Sequence, residues 1–157
     1  MDKYIVGIVG SRNTGKTTTT VNLTNIFANV GYKVAIIKFS HHKFDLDPSH
    51  KDSAVLRSTK AEIIISSTPY ETVTYQPTDK RVDLPSLLVN LSSDINVVFC
   101  ESYPINFPKI SLIFVCDSIE DYYQTKQRFK NENPLFITGI IYDKAIKSIE
   151  DNIILSN

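Results

Sequence analysis

Residues Tyr4 to Val9 form a short apolar run rich in β-branched side chains, and it leads directly into Gly10-Ser11-Arg12-Asn13-Thr14-Gly15-Lys16-Thr17. Few local sequences constrain a fold more tightly. The spacing Gly-x4-Gly-Lys-Thr is that of the P-loop, in which backbone N–H groups of a tight glycine turn and of the helix that follows converge on a phosphate chain. Gly10 and Gly15 permit close backbone approach, with Ser11, Asn13 and Thr14 completing the cradle. Lys16 reaches the terminal phosphates as a point charge, the Thr17 hydroxyl can join a Mg²⁺ shell, and Thr18 adds a hydroxyl to the next phosphate inward. Arg12 reads as a solvated side chain of the loop. The segment Thr17 to Val30 places Val21, Leu23, Ile26, Phe27 and Val30 at near-helical spacing and stops at Gly31, so strand, loop and helix follow one another as the motif requires.

The same alternation continues along the chain. Apolar runs at Val34 to Ile37, Ile63 to Ile65, Val97 to Cys100, Ile110 to Val115 and Leu135 to Ile141 suit strands buried on both faces. Helix-compatible segments fall at Lys51 to Thr59, Leu84 to Leu91, Ile119 to Lys130 and Ile146 to Leu155. Tyr70 to Gln76 alternates instead, which predicts an exposed strand and an edge hairpin with Ile63 to Ser67 across Thr68-Pro69. The pattern specifies an α/β fold: a single P-loop NTPase domain over residues 1–157, its mostly parallel sheet flanked by helices.

Composition narrows the partners. With 17 basic and 17 acidic residues among 157, no strongly basic field points to nucleic acid. The apolar run before Gly10 is too short for a secretory or membrane-spanning segment, so no membrane association and a cytoplasmic location are expected. Cys100 and Cys116 lie in apolar runs without the close spacing of zinc or redox motifs, and read as buried reduced thiols.

Two further features bear on chemistry. Glu101 is the first charge after the buried run Val97 to Cys100, at the strand end where ligands of open α/β sheets collect, and is the candidate metal-side carboxylate beside Thr17; Asp94, at the other end of that strand, should lie far away. The loop after Lys38 holds all three histidines and two aspartates in Phe39-Ser40-His41-His42-Lys43-Phe44-Asp45-Leu46-Asp47 and onward to His50. His41, His42, Asp45 and Asp47 are the candidate catalytic residues, the aspartates holding metal-bound water and the histidines touching phosphate or a phosphorylated partner ligand. A transition-metal site and a plain solvated loop, with Ser49-x-x-Asp52 as a helix cap, are the alternatives.

The segment GSRNTGKTT, the block from Ile37-Lys38 through His41-His42, Asp45, Asp47 and Lys51-Asp52-Ser53, and the strand ending Cys100-Glu101-Ser102 together closely resemble the molybdopterin-guanine dinucleotide biosynthesis protein B family, over Tyr4 to roughly Val115. The resemblance implies a small, usually dimeric GTP-binding protein that hydrolyses GTP slowly with Mg²⁺ and assists a molybdenum cofactor guanylyltransferase, with molybdopterin or its carrier as a further partner. It also implies that Gly15, Lys16, Thr17 and Thr18 hold phosphates and metal and that Glu101 is the metal-side acid. Three positions depart from the family's usual residues: Phe39 replaces His, and His50 and Ser102 each replace Gly. These changes bear on hydrolysis more than on binding. The familiar Asn/Thr-Lys-x-Asp base-reading element is absent, so guanine preference rests on the resemblance alone. A small P-loop kinase for a nucleoside or metabolite and a metallochaperone-type GTPase are the competing functions; for the kinase, Arg57, Arg81 and Arg128 form no lid-like cluster in the sequence.

Overall fold

The computed structural model describes residues 3–42, 52–130 and 134–138. In chain order the elements are β1 (Tyr4–Val9), α1 (Lys16–Asn29), β2 (Val34–Lys38), α2 (Asp52–Arg57), β3 (Ile64–Ser67), β4 (Thr72–Tyr75), α3 (Leu84–Val89), β5 (Val97–Glu101), β6 (Ser111–Val115), α4 (Ile119–Arg128) and β7 (Phe136–Thr138). Five strands make a parallel sheet in the order β2-β5-β1-β6-β7. The expected helix at Ile146 to Leu155 lies outside the described residues, as does the part of the last expected strand beyond Thr138.

Burial on both faces explains why β5 and β6 read as continuous apolar runs: every residue of β5, and four of the five in β6, are buried. One face carries Val9, Val98, Cys100, Leu112 and Phe114 against Leu84 at the start of α3 and Phe129 after α4. The other carries Ile8, Val97, Phe99, Ile113 and Val115 against Leu23 and Phe27 of α1. Each fully buried side chain of this size stabilises by about 1.5–3 kcal/mol, so the two layers fix the strand positions from both sides. The connection from β5 to β6 crosses over β1 without a helix, and its Tyr103 and Phe107 pack with Phe39 as three edge-on rings, centroids 5.3–5.9 Å apart.

The expected hairpin forms, with Ile64 to Ser67 paired antiparallel to Thr72 to Tyr75. Thr68 caps its turn by accepting from the Tyr70 and Glu71 amides. The pair is a two-stranded sheet of its own rather than an extension of the central sheet. Its strands are mostly exposed, so cross-strand hydrogen bonds hold it more than a buried face does.

This topology places the site. The chain leaves β1 toward β2 and β5 on one side and returns to β6 and β7 on the other. The order reverses at β1, and the crevice at its carboxyl end is where such sheets bind ligands.

Candidate functional site

The P-loop occupies that crevice, and its backbone is what the glycines permit. Gly10 has φ +155°, and a Cβ there would sit 2.0 Å from the Val115 carbonyl oxygen. Gly15 has φ +94° and precedes the first turn of α1. The loop is braced by side chains: Thr14 Oγ1 donates to the Ser11 carbonyl at 3.1 Å, Lys16 Nζ donates to the same carbonyl, and Ser11 Oγ donates to the buried Asp121 carboxylate.

α1 lacks the side-chain cap that α3 and α4 possess. Asp83 accepts from the Ser86 amide at the start of α3, and Ser118 accepts from the Asp121 amide at the start of α4. At α1 no side chain among the described residues caps the N-terminus, and no acidic residue stands in the first turn. The free N–H groups and the positive end of a 14-residue helix are left facing the cleft, an arrangement suited to an anion.

Across the crevice, Glu101 is 4% exposed and accepts from Thr17 Oγ1 at 2.8 Å and from Lys38 Nζ at 3.0 Å. The two residues named from the sequence as metal-side candidates, Thr17 and Glu101, are thus in direct contact. Two hard oxygen donors side by side, next to the P-loop, are the donor chemistry Mg²⁺ prefers, so these residues fit that ion. Burial holds the Lys16 ammonium below its ordinary range, opposed by the charges of Glu101 and Asp121. Asp94 lies at the far end of β5, paired with Lys33.

Gly10, Gly15, Lys16, Thr17, Lys38 and Glu101 line one cleft of about 1170 Å³, above the roughly 300–1,000 Å³ usual for small-molecule sites. Among the described residues its charged lining comprises Arg12, Lys16, Lys38, Arg81 and Arg128 against one carboxylate, Glu101. That balance favours a polyphosphate. Arg12 is exposed, as expected. His41 and His42 are exposed on the cleft lining, and Arg81 reaches over from before α3 to the Ser40 carbonyl at 3.0 Å and to His41 Nδ1 at 3.5 Å. Asp45, Asp47, Ser49 and His50 lie outside the described residues. Ser102, one of the three positions at which the sequence departs from the residue the resemblance implies, takes the left-handed φ of +58°, and its N–H donates to Ile8 O at 2.9 Å.

Two residues of this site were not assigned a role from the sequence. Lys38 stood at a predicted strand end on the correct edge of the sheet, but its partner depends on strand order. Asp121 carried only a helix-start signal, Ser118-x-x-Asp121, and nothing local points 110 positions back to Ser11.

The family model for molybdopterin guanine dinucleotide synthesis protein B, MobB, matches residues 5–129. The chain belongs to the MobB family. A proposed molybdopterin-guanine dinucleotide biosynthesis adapter protein of Methanocaldococcus jannaschii is 28% identical, over 90% of this chain and 62% of the relative; the chain therefore spans only about three fifths of that protein's length. Among solved structures, a MobB homologue from Bacillus stearothermophilus superposes with a TM-score of 0.61 at 14% identity, covering 98% of this chain and 99% of that one. A molybdopterin-guanine biosynthesis protein B gives 0.65 at 18% identity, with 95% and 99% covered. The Bacillus subtilis MobB gives 0.62 at 16%, with 94% and 96% covered. At such identities the structural likeness speaks for the fold: the MobB P-loop architecture is shared. Among the described residues, no helix is long and apolar enough to cross a membrane.

Proposed function

We propose that this chain is a GTP-binding adapter of molybdopterin guanine dinucleotide biosynthesis, one that holds GTP with Mg²⁺ in the β1 crevice and hydrolyses it slowly. The observation that carries the reading is the uncapped N-terminus of α1 set beside Lys16 and opposite the Thr17–Glu101 pair, within a cation-lined cleft. Gly10, Ser11, Asn13, Thr14 and Gly15 present backbone to the phosphates, Lys16 moves from the Ser11 carbonyl onto them, and Thr18 adds its hydroxyl. Thr17 and Glu101 would hold the metal, which when bound would neutralise charge on the phosphate oxygens.

Slow turnover follows from what surrounds that position. Ser102 brings a side chain into the cleft lining, and Phe39 is buried against Tyr103 and Phe107 and carries no proton-transfer group. His41 and His42, both exposed on the cleft lining, are the remaining described candidates for orienting water, with Asp45 and Asp47 as candidates from the sequence. The family assignment supports a guanylyltransferase and molybdopterin or its carrier as partners, with a homodimer in the cytoplasm as the working form and residues 1–157 as one nucleotide-binding domain.

Calorimetric titration of the purified chain with GTP and with ATP, each with Mg²⁺, tests the core of this reading. GTP is expected to bind at least tenfold more tightly, a difference of about 1.4 kcal/mol. Equal affinities would remove the guanine assignment, and no binding of either would remove the nucleotide site. A monomeric mass by light scattering at working concentration would remove the homodimer.

A further inference from the structure

The parallel pairing of β2 with β5 sets Lys38, the last residue of β2, opposite Glu101, the last residue of β5. Alternation along β2 puts Lys38 on the same sheet face as Val34, which packs into the layer beneath α1, so its side chain runs toward the α1 N-terminus. There a single carboxylate oxygen, Glu101 Oε1, accepts from both Thr17 Oγ1 and Lys38 Nζ. A buried carboxylate requires a compensating charge, and Lys16, the P-loop cation, is turned onto the Ser11 carbonyl instead. Among the described residues Lys38 is therefore the cation in contact with Glu101.

The two partners differ in mobility. The Glu101 side chain is 6% exposed, whereas the Lys38 side chain is 51% exposed on a flexible four-carbon stem. Lys38 can swing onto an incoming phosphate when a divalent cation takes over its charge at Glu101, while Glu101 stays fixed by Thr17 and its strand. An ammonium 3.0 Å from Oε1 and a divalent cation ligated by that same oxygen would meet at close range with like charge.

We propose that Lys38 is a resident counter-ion of Glu101, occupying the oxygen that a divalent cation would use and releasing it only when nucleotide phosphates offer the ammonium a better partner. Lys38 thereby couples the two ligands: the empty cleft binds metal weakly, and metal and nucleotide load together. Lys38 acts through Glu101 as a positioning residue. The proposal rests on reading the cleft as a nucleotide–metal site.

Mn²⁺ binding without nucleotide, followed by loss of the free-ion electron paramagnetic resonance signal, tests it on wild type, Lys38→Met, Lys38→Arg, Glu101→Gln and Glu101→Gln/Lys38→Met. Lys38→Met is expected to bind Mn²⁺ on the order of tenfold more tightly than wild type, since a contact charge is removed from a partly screened site. Lys38→Arg should stay at or below wild-type affinity. The gain should disappear in the Glu101→Gln background. An unchanged or weaker affinity in Lys38→Met, or an equal gain when Glu101 is already replaced, would overturn the proposal. Circular dichroism checks the fold, and Lys38→Gln carries the same expectation should the methionine variant fail to fold. Wild-type GTP titration with Mg²⁺ separates the two ideas: absent binding defeats the nucleotide reading, whereas intact binding with unchanged Mn²⁺ affinity in Lys38→Met defeats only the role given to Lys38.

Discussion

Replacing Gly10 by Ala should be far more damaging than the same change at Gly15, although both belong to one loop. At Gly10 the new Cβ would stand 2.0 Å from the Val115 carbonyl oxygen, 3.1 Å from its carbon and 3.0 Å from Thr14 Oγ1. An ordinary carbon–oxygen contact is about 3.3 Å, so loop or strand must retreat by more than about 1 Å. Val115 cannot yield easily: it is 1% exposed, and the β6 end is held by pairing to β7 and by the Cys116 amide on Thr138 O at 2.9 Å. The loop must move. Overpacking costs about 1–3 kcal/mol and the positive φ about 1 kcal/mol more, giving about 2–4 kcal/mol and a fall in Tm of about 4–16 °C for a chain of this size. Gly15→Ala meets nothing within 4 Å and should lose only the backbone cost, about 1 kcal/mol. Because the displaced loop no longer presents its amides in register, Gly10→Ala should also lose nucleotide affinity by about 100-fold. Thermal melts and calorimetric GTP titrations of both variants decide the matter. Equal Tm values for the two, or a Gly10→Ala protein that binds as wild type does, would refute the reasoning.

Four further outcomes are expected. Asp121→Ala removes the acceptor of Ser11 Oγ and of the Asp117 amide and should cost about 1–3 kcal/mol in urea denaturation while weakening nucleotide binding. Ser102→Gly relieves a residue held at φ +58° and should leave stability level or raise it by up to about 1 kcal/mol, whereas Ser102→Val should lower it; urea midpoints give the comparison. The hydrogen bond from Lys33 holds Asp94 down at about 2 against an ordinary 3.8, so its stabilising contribution is complete above about pH 4 and is lost as pH falls toward 2; denaturation midpoints of Asp94→Asn should show a flatter acid limb than wild type. Burial pushes both Cys100 and Cys116 up to about 12, so neither should react with a thiol reagent at pH 8 until denaturant is added, and prompt labelling of the folded protein would contradict the described packing.

The elements were legible because each announces itself locally. β1, α1, β5 and β6 fall within a residue or two of where apolar runs, Gly31 and the P-loop spacing put them. Glu101 was legible too, because a charge that ends a doubly buried strand has only the sheet edge to occupy. The contacts made between elements were not. Thr17 with Glu101, Lys38 with Glu101 and Ser11 with Asp121 join positions 63 to 110 residues apart, and their geometry depends on strand order. The P-loop spacing leaves that order open: β2 could follow β1 directly in the sheet or stand one strand further out. Neighbouring strands lie about 4.8 Å apart, so with β2 beside β1 the Lys38 and Glu101 backbones would be about 10 Å from each other. Insertion of β5 between β1 and β2 halves that distance and makes the ion pair direct. Phe39 illustrates the same dependence. In sequence it is a departure in a histidine-rich loop, and only the crossing of Tyr103 and Phe107 over the sheet makes it part of a buried aromatic wall. The P-loop residues proposed to hold phosphate through their backbone are therefore readable from spacing, whereas the contacts of the carboxylate opposite them are set by topology. Variation at Lys38 and Phe39 should accordingly change how metal and water behave in the cleft while the P-loop itself stays intact.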